Sequence, residues 1–240
     1  MIANLLQYQY LIGMLVFGLP VWLMMFRRKH LRSSMIHSGI VYTFILLCGF
    51  LFLSTRDVPP QLAINPGYWH PATLFDLNNL TGGLGFEDII FMFLGAGIAT
   101  GVIEFCFGKK IKPAFRSKHH YLALIIAILG SAVFYKITQS NLMYALIIFN
   151  ACGALAMCLQ RPDLSKHALL GGAIVGIIYF LQWQGYNLLF PDYIAHNYSL
   201  QNISNIFLLG VPIEEILFGL TFGLFWSPEI EYETGKKSSV

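Results

Sequence analysis

Residues 211–219 read VPIEEILFG, which sets two adjacent carboxylates, Glu214 and Glu215, inside one of the most apolar stretches of the chain. Pro212 stands two residues before the pair and Phe218 four residues after its first member. Proline at a first helical position with acids in the first turn is an ordinary helix start, because the macrodipole favours negative charge there. Depth asks for more than that. The apolar run begins near Ile203, so Glu214 lies roughly 16 Å along it if the run is helical. The preceding NISNIFLLG (202–210) is then expected to be a helical or re-entrant piece buried in protein or lining a cavity. Neighbouring helical positions point about 100° apart, so the two acids cannot share one role side by side.

The composition around this stretch fixes the class. The 240 residues are 56% hydrophobic and only 11% charged, with a mean hydropathy of +0.63. Soluble domains carry about a quarter charged residues. Too few charges remain to cover a water-facing surface, so the chain reads as an all-α integral membrane protein, in the plasma (inner) membrane if the source is bacterial. Seven stretches are long and apolar enough for a spanning helix, about 5–26, 36–54, 87–107, 119–138, 141–159, 167–190 and 203–226. The first is followed by others and reads as a helix, not a cleaved signal peptide. Arg27, Arg28, Lys29, Arg32, Lys109, Lys110, Lys112, Arg116, Lys118, Arg161, Lys166, Lys236 and Lys237 fall on one side of that pattern. Only Arg56 and Lys136 fall opposite. The positive-inside rule then places the N-terminus outside and the C-terminus in the cytoplasm. Cys48, Cys106, Cys152 and Cys158 all sit in apolar runs without metal-ligand spacing, and the histidines lie mostly beside basic or loop residues. No metal site, disulfide framework or nucleic-acid partner is expected.

The acidic pair has an echo. Residues 85–110, GFEDIIFMFLGAGIATGVIEFCFGKK, align without a gap on 212–237, PIEEILFGLTFGLFWSPEIEYETGKK. Glu87 meets Glu214, Ile89 meets Ile216, Phe91 meets Phe218, Glu104 meets Glu231, and both segments end in Gly-Lys-Lys. Asp88 and Glu215 are close replacements. Both segments begin odd-numbered helices and so run the same way. The expected architecture is a single membrane domain, 1–240, of two parallel three-helix repeats at about 1–110 and 139–237, joined by a connector helix at about 119–138. Such symmetry would let the acids of the two copies face each other.

Ionisable residues inside spans are functional candidates. Glu87, Asp88, Glu214 and Glu215 are the candidate acid–base groups, because burial and a second nearby carboxylate keep one acid protonated and able to donate. Aromatic faces hold a cation; Phe91, Phe218 and Phe222 on the two acidic helices, with Pro212, are the candidate substrate contacts. Glu104 and Glu231 lie about 25 Å further along and, with Glu229 and Glu233, are expected to form a solvated, ion-paired rim near the lysines.

At these residues the chain resembles the small membrane-embedded lycopene cyclases, which are unrelated to the flavin-dependent cyclases. Their mark is Pro-[Ile/Leu]-Glu-[Glu/Asp] followed by apolar and Phe positions, once per three-helix domain. Pro212-Ile213-Glu214-Glu215-Ile216-Leu217-Phe218 matches in full, and Gly85-Phe86-Glu87-Asp88-Ile89-Ile90-Phe91 matches without the proline. The resemblance implies non-redox closure of an acyclic carotenoid or isoprenoid end group, an apolar lipid substrate and no cofactor. It implies that Glu214 or Glu87 protonates the terminal double bond and that a carboxylate removes a proton after ring closure. The other class considered is a non-enzymatic membrane binding, transport or assembly protein with structural acids. An intramembrane glutamate protease would need Arg where Phe218 stands, and a retinal-type photoreceptor would need a lysine within 203–226. No dinucleotide fingerprint follows a strand.

Overall fold

The computed structural model describes residues 7–54, 58–81, 83–108, 112–113 and 121–237. Arg56, Lys109, Lys110, Arg116 and Lys118, which carry part of the charge argument, lie outside the described residues. Among the described residues the longer helices are α1 Gln9–Phe26, α2 Arg32–Ser54, α3 Phe86–Phe107, α4 Leu122–Thr138, α5 Leu142–Gln160, α6 Ser165–Leu189 and α7 Ile213–Trp226, each within or overlapping an apolar stretch. Five of them, α1, α2, α3, α5 and the stretch Pro162–Leu189 containing α6, are long and apolar enough to cross a membrane. α4 has 17 residues and α7 only 14, so α7 reaches about 21 Å, short of a bilayer core of about 30 Å.

α7 is shorter than its apolar run because the expected helical or re-entrant piece before it is a β-hairpin. Strands Phe207–Leu208 and Val211–Pro212 pair antiparallel across a turn in which Leu209 and Gly210 have φ of 50° and 80°. Glycine adopts that region freely, and the flanking residues are held there by the Ile213 N–H donating to Ile206 O at 2.9 Å. Hydropathy is blind to this difference, since the hairpin side chains are as apolar as those of a span. Pro212, expected at the first helical position, is instead the cap residue just before it, with φ −56° and ψ 138°.

α3 packs between α1 and α2, and α7 packs between α5 and α6, while α4 lies on α5. The α6–α7 approach is close enough that a Cβ on Gly223 would stand 2.7 Å from Gly171 O, so small residues permit the contact. α3 and α7 touch directly, with Thr100 Oγ1 donating to Trp226 O at 3.1 Å. Trp226 Nε1 reaches Asn150 Oδ1 of α5 at 3.2 Å. In α1, residues Met14–Gly18 widen into a π turn just before Pro20, whose missing N–H interrupts the regular ladder.

Two loops close the end where α3 and α7 begin. They are stitched together: His70 N–H donates to Asn197 O at 2.8 Å, Ser199 N–H to Tyr68 O at 2.9 Å, and Asn202 Nδ2 to Gly67 O at 2.8 Å. Asn141, which caps α5, also donates through Nδ2 to Gln61 O and Ala63 O at 3.1 and 3.0 Å. At the opposite end, Lys112–Pro113 pairs with Lys236–Lys237.

The acids at that opposite end are only in part a solvated, ion-paired rim: Glu104 and Glu233 stay partly exposed, Glu229 is half-buried and Glu231 is buried. Glu231 is buried in the short helix Glu229–Thr234. Ser38 Oγ donates to Glu229 at 2.6 Å, and His37 Nε2 lies 2.8 Å from Glu233. Packing against α2 explains the change, because the short helix after α7 folds back on it. Burial pushes the Glu229 carboxyl up to about 7; the Ser38 hydroxyl and His37 favour its anion, and Glu233 and Glu231 oppose it. The folded state therefore holds this proton more tightly than the unfolded chain. The stability it gives is fully present below the usual value of 4.5 and is lost as pH rises through about 7. Glu229→Gln cannot ionise, so its stability relative to the parent should rise between those pH values by up to about 3 kcal/mol and level off above them. Thermal unfolding in detergent across that pH range checks this; a pH-independent difference would contradict it.

Candidate active site

Each acidic pair opens a helix, and adjacent helical positions send its two members to different places. Gly85, extended at φ −95° and ψ 165°, caps α3, and its N–H donates to Asp88 Oδ2 at 2.7 Å. That bond fixes Asp88 back over the helix start. The second Asp88 oxygen accepts a long 3.3 Å bond from Tyr10 of α1. Glu87, fully buried at 0% exposure, turns away and accepts the Leu74 N–H at 2.7 Å.

The second pair repeats the division. Glu214, also 0% exposed, accepts the Ser204 N–H at 2.8 Å and the Tyr144 hydroxyl at 2.5 Å, both on Oε1. Glu87 and Glu214 thus each tether the loop that precedes their own helix. Glu215, 4% exposed, faces the interior and is held by three phenols. Tyr68 and Tyr198 donate to Oε1 at 2.9 and 2.8 Å, and Tyr179 of α6 donates to Oε2 at 2.6 Å. Burial, and then the nearby Glu215 charge, push the Tyr68 and Tyr198 phenols well above their ordinary range, so both keep their protons and act as donors.

Asp88 and Glu215 line one cavity of about 110 Å³ between α1, α2, α3, α5, α6, α7 and the two loops. The rest of its wall is aromatic and aliphatic: Tyr10, Tyr42, Tyr68, Trp69, Phe91, Tyr179, Trp183, Tyr186, Tyr198 and Phe218, with Leu46, Ile64, Met92, Met143 and Leu146. Gln182 adds a neutral polar group. The rings support one another, Trp69 standing edge-on to Tyr10 at 4.4 Å and Tyr68 edge-on to Tyr198 at 5.1 Å. A second, apolar hollow of about 50 Å³ shares Phe91, Tyr179, Gln182 and Phe218 with the first. It continues past Met14, Gly18, Leu94, Gly95, Ile98 and Phe222. From Asp88 to Ile98 along α3 is about 15 Å, so the two hollows adjoin along α3 and outline a slot, with carboxylates lining the first and hydrocarbon walls the second.

Of the residues singled out from the sequence, Asp88, Glu215, Phe91 and Phe218 line the main cavity, and Phe222 lines its extension. Glu87, Glu214 and Pro212 line neither hollow. The individual cavity tyrosines were not singled out in the sequence because they come from α1, α2, α6 and two loops, with no spacing that links them. Among the described residues, one group could hold a metal ion, His37 with Glu229 and Glu233 at the far end of α7, and it has no place in this cavity.

A family model described as Lycopene cyclase matches the chain at residues 8–106 and 141–232. Each matched segment carries one acidic pair, and α4 falls between them. No curated protein and no solved structure matches the chain.

The division between the acids has a direct test. Glu87→Gln and Glu214→Gln keep the accepting oxygen but lose the charge that strengthens each tether. Both should speed hydrogen exchange at Leu74 and Ser204 by about tenfold, the effect of losing about 1.4 kcal/mol, and leave the α3 and α7 interiors protected. Unchanged exchange in the two loops would refute the tether role.

Proposed function

The chain belongs to the lycopene cyclase family, and from that premise we propose that it closes the acyclic end group of a carotenoid or related isoprenoid into a ring by acid–base chemistry alone. The observation that carries this reading is the convergence of Asp88 and Glu215 on one aromatic cavity with an apolar hollow adjoining it. A polyene lies along the slot with its terminal double bond between the two carboxyl groups. One protonated carboxyl donates to that double bond, and the resulting cation is held by aromatic faces and by the other, ionised carboxylate. The next double bond attacks the cation, a ring forms, and a carboxylate takes a proton from the ring. No electrons enter or leave, so the residues need no redox partner. Phe91 and Phe218 hold the reacting end, and Phe222 holds the chain beyond it.

The same reading places the chain across a membrane seven times, with two like-directed three-helix repeats and α4 as connector. The packing of α3 on α1 and α2, and of α7 on α5 and α6, supports the repeat. The cluster Arg27, Arg28, Lys29 and Arg32 between α1 and α2, with Arg161 and Lys166 between α5 and α6, supports a cytoplasmic location for that end. The substrate slot then opens toward the outer leaflet.

Expression in cells that accumulate lycopene should give monocyclic or bicyclic pigments, and membranes that cyclise preformed lycopene in heavy water should add one deuterium per ring. Asp88→Asn and Glu215→Gln should each lower ring formation by about a hundredfold or more at normal insertion, the usual scale for losing a positioned acid or base. Glu214→Gln should retain at least about tenfold more activity than Glu215→Gln. Well-inserted protein that forms no ring would end this reading.

A further inference from the structure

We propose that Tyr68, Tyr179 and Tyr198 are positioning residues that hold Glu215 as an ionised base in one orientation, and that this orientation sets where the double bond forms in the product ring. The inference rests on the cyclase reading above. A carboxylate offers about four in-plane lone-pair sites, two on each oxygen. Tyr68 and Tyr198 fill both sites on Oε1, and Tyr179 fills one on Oε2. One site on Oε2 is left beyond the three phenols, and the buried Trp183 indole N–H, which has no closer partner, lies near Glu215 as well. A proton already resting on Glu215 would displace a phenol or occupy that last site, so the arrangement suits an anion waiting for a proton. The three phenols come from three separate segments: the loop before α3, helix α6, and the loop after it. The carboxylate plane is thereby fixed from three directions.

Asp88 is held more loosely, by the Gly85 N–H on one oxygen and a 3.3 Å bond from Tyr10 on the other. Two of its sites are open, which suits the acid. The Asp88 O–H bond breaks and its proton bonds to the inner CH carbon of the terminal double bond through the alkene π pair. The neighbouring tertiary carbon becomes cationic, and the π pair of the next double bond closes the ring, leaving a tertiary ring cation. One C–H bond beside that cation then breaks. Its proton goes to the open site on Glu215 Oε2, and its electron pair becomes the ring double bond. Two ring carbons and one methyl adjoin the cation, so three isomeric rings are chemically open. A base with a single free lone pair in a fixed plane selects one of them.

The test uses the full chain in lycopene-accumulating cells, with insertion measured alongside and ring isomers separated by chromatography and identified by NMR. The parent should give one isomer. Tyr179→Phe frees the second site on Oε2 and should yield a second isomer at about a tenth of the product or more, while ring formation falls less than about tenfold. Tyr68→Phe with Tyr198→Phe should do the same by letting the carboxylate rotate. Purified parent and Glu215→Gln, compared by infrared difference spectroscopy, should differ by ionised carboxylate bands, which needs no tyrosine variant to fold. Variants that cyclise to the parent's single isomer, or the loss of a protonated carboxyl band in Glu215→Gln, would overturn the inference and leave the cyclase reading standing. A parent that forms no ring would remove both.

Discussion

Glu215 is a carboxylate taken almost wholly out of solvent, and the hydroxyls of Tyr68, Tyr179 and Tyr198 replace the water it lost. Isolated burial of such a group is costly, and donors from the protein are what make it tolerable. Much of the surrounding structure follows from supplying those donors. Tyr68 and Tyr198 sit on loops, and those loops are bridged at Trp69 and Tyr198, tied by backbone hydrogen bonds and capped onto α5 through Asn141. Tyr179 comes from α6, which can approach α7 because glycines line their contact. The lid over the cavity and the anchor of its carboxylate are thus the same set of residues.

Adjacent acids on a helix divide into two tasks because they point apart. In both pairs the first acid, Glu87 or Glu214, reaches back to a backbone N–H of the preceding loop, and the second, Asp88 or Glu215, faces the cavity. The first acids set the loops, and the loops bring the tyrosines to the second acids. The two copies have also diverged: one inward acid is a glutamate under three phenols, the other an aspartate tied to its own helix cap. A reaction that first gives and then takes a proton needs two unlike carboxyl groups, and this asymmetry suits it.

The helices and the acids were legible in the sequence because apolar length and buried charge leave strong local signals. Helical periodicity set Phe218 on the face of Glu214, four residues before it, whereas Phe218 lines the cavity with Glu215, three residues before it. The hairpin at 207–212 was not, since Ile206, Phe207, Leu208 and Leu209 are apolar whether they span or turn, and only Gly210 hinted at the bend. The split between Glu214 and Glu215 was foreseen as a difference in direction, but which of them faces the cavity depends on loops far away in the chain. The tyrosine cage was illegible for the same reason. Glu231 and Glu229 looked like a solvated rim beside lysines, but Glu231 is buried and Glu229 half-buried because the short helix after α7 folds against α2.

The central claim is that the reacting end of the substrate lies between Asp88 and Glu215. A structure of the protein with an acyclic carotenoid bound is its most direct test. The account predicts polyene density along the slot past Phe91 and Phe222, with the terminal double bond in contact with both carboxyl groups. Density lying beside Glu87 or Glu214, or along the lipid-facing surface with the cavity filled by side chains, would contradict it.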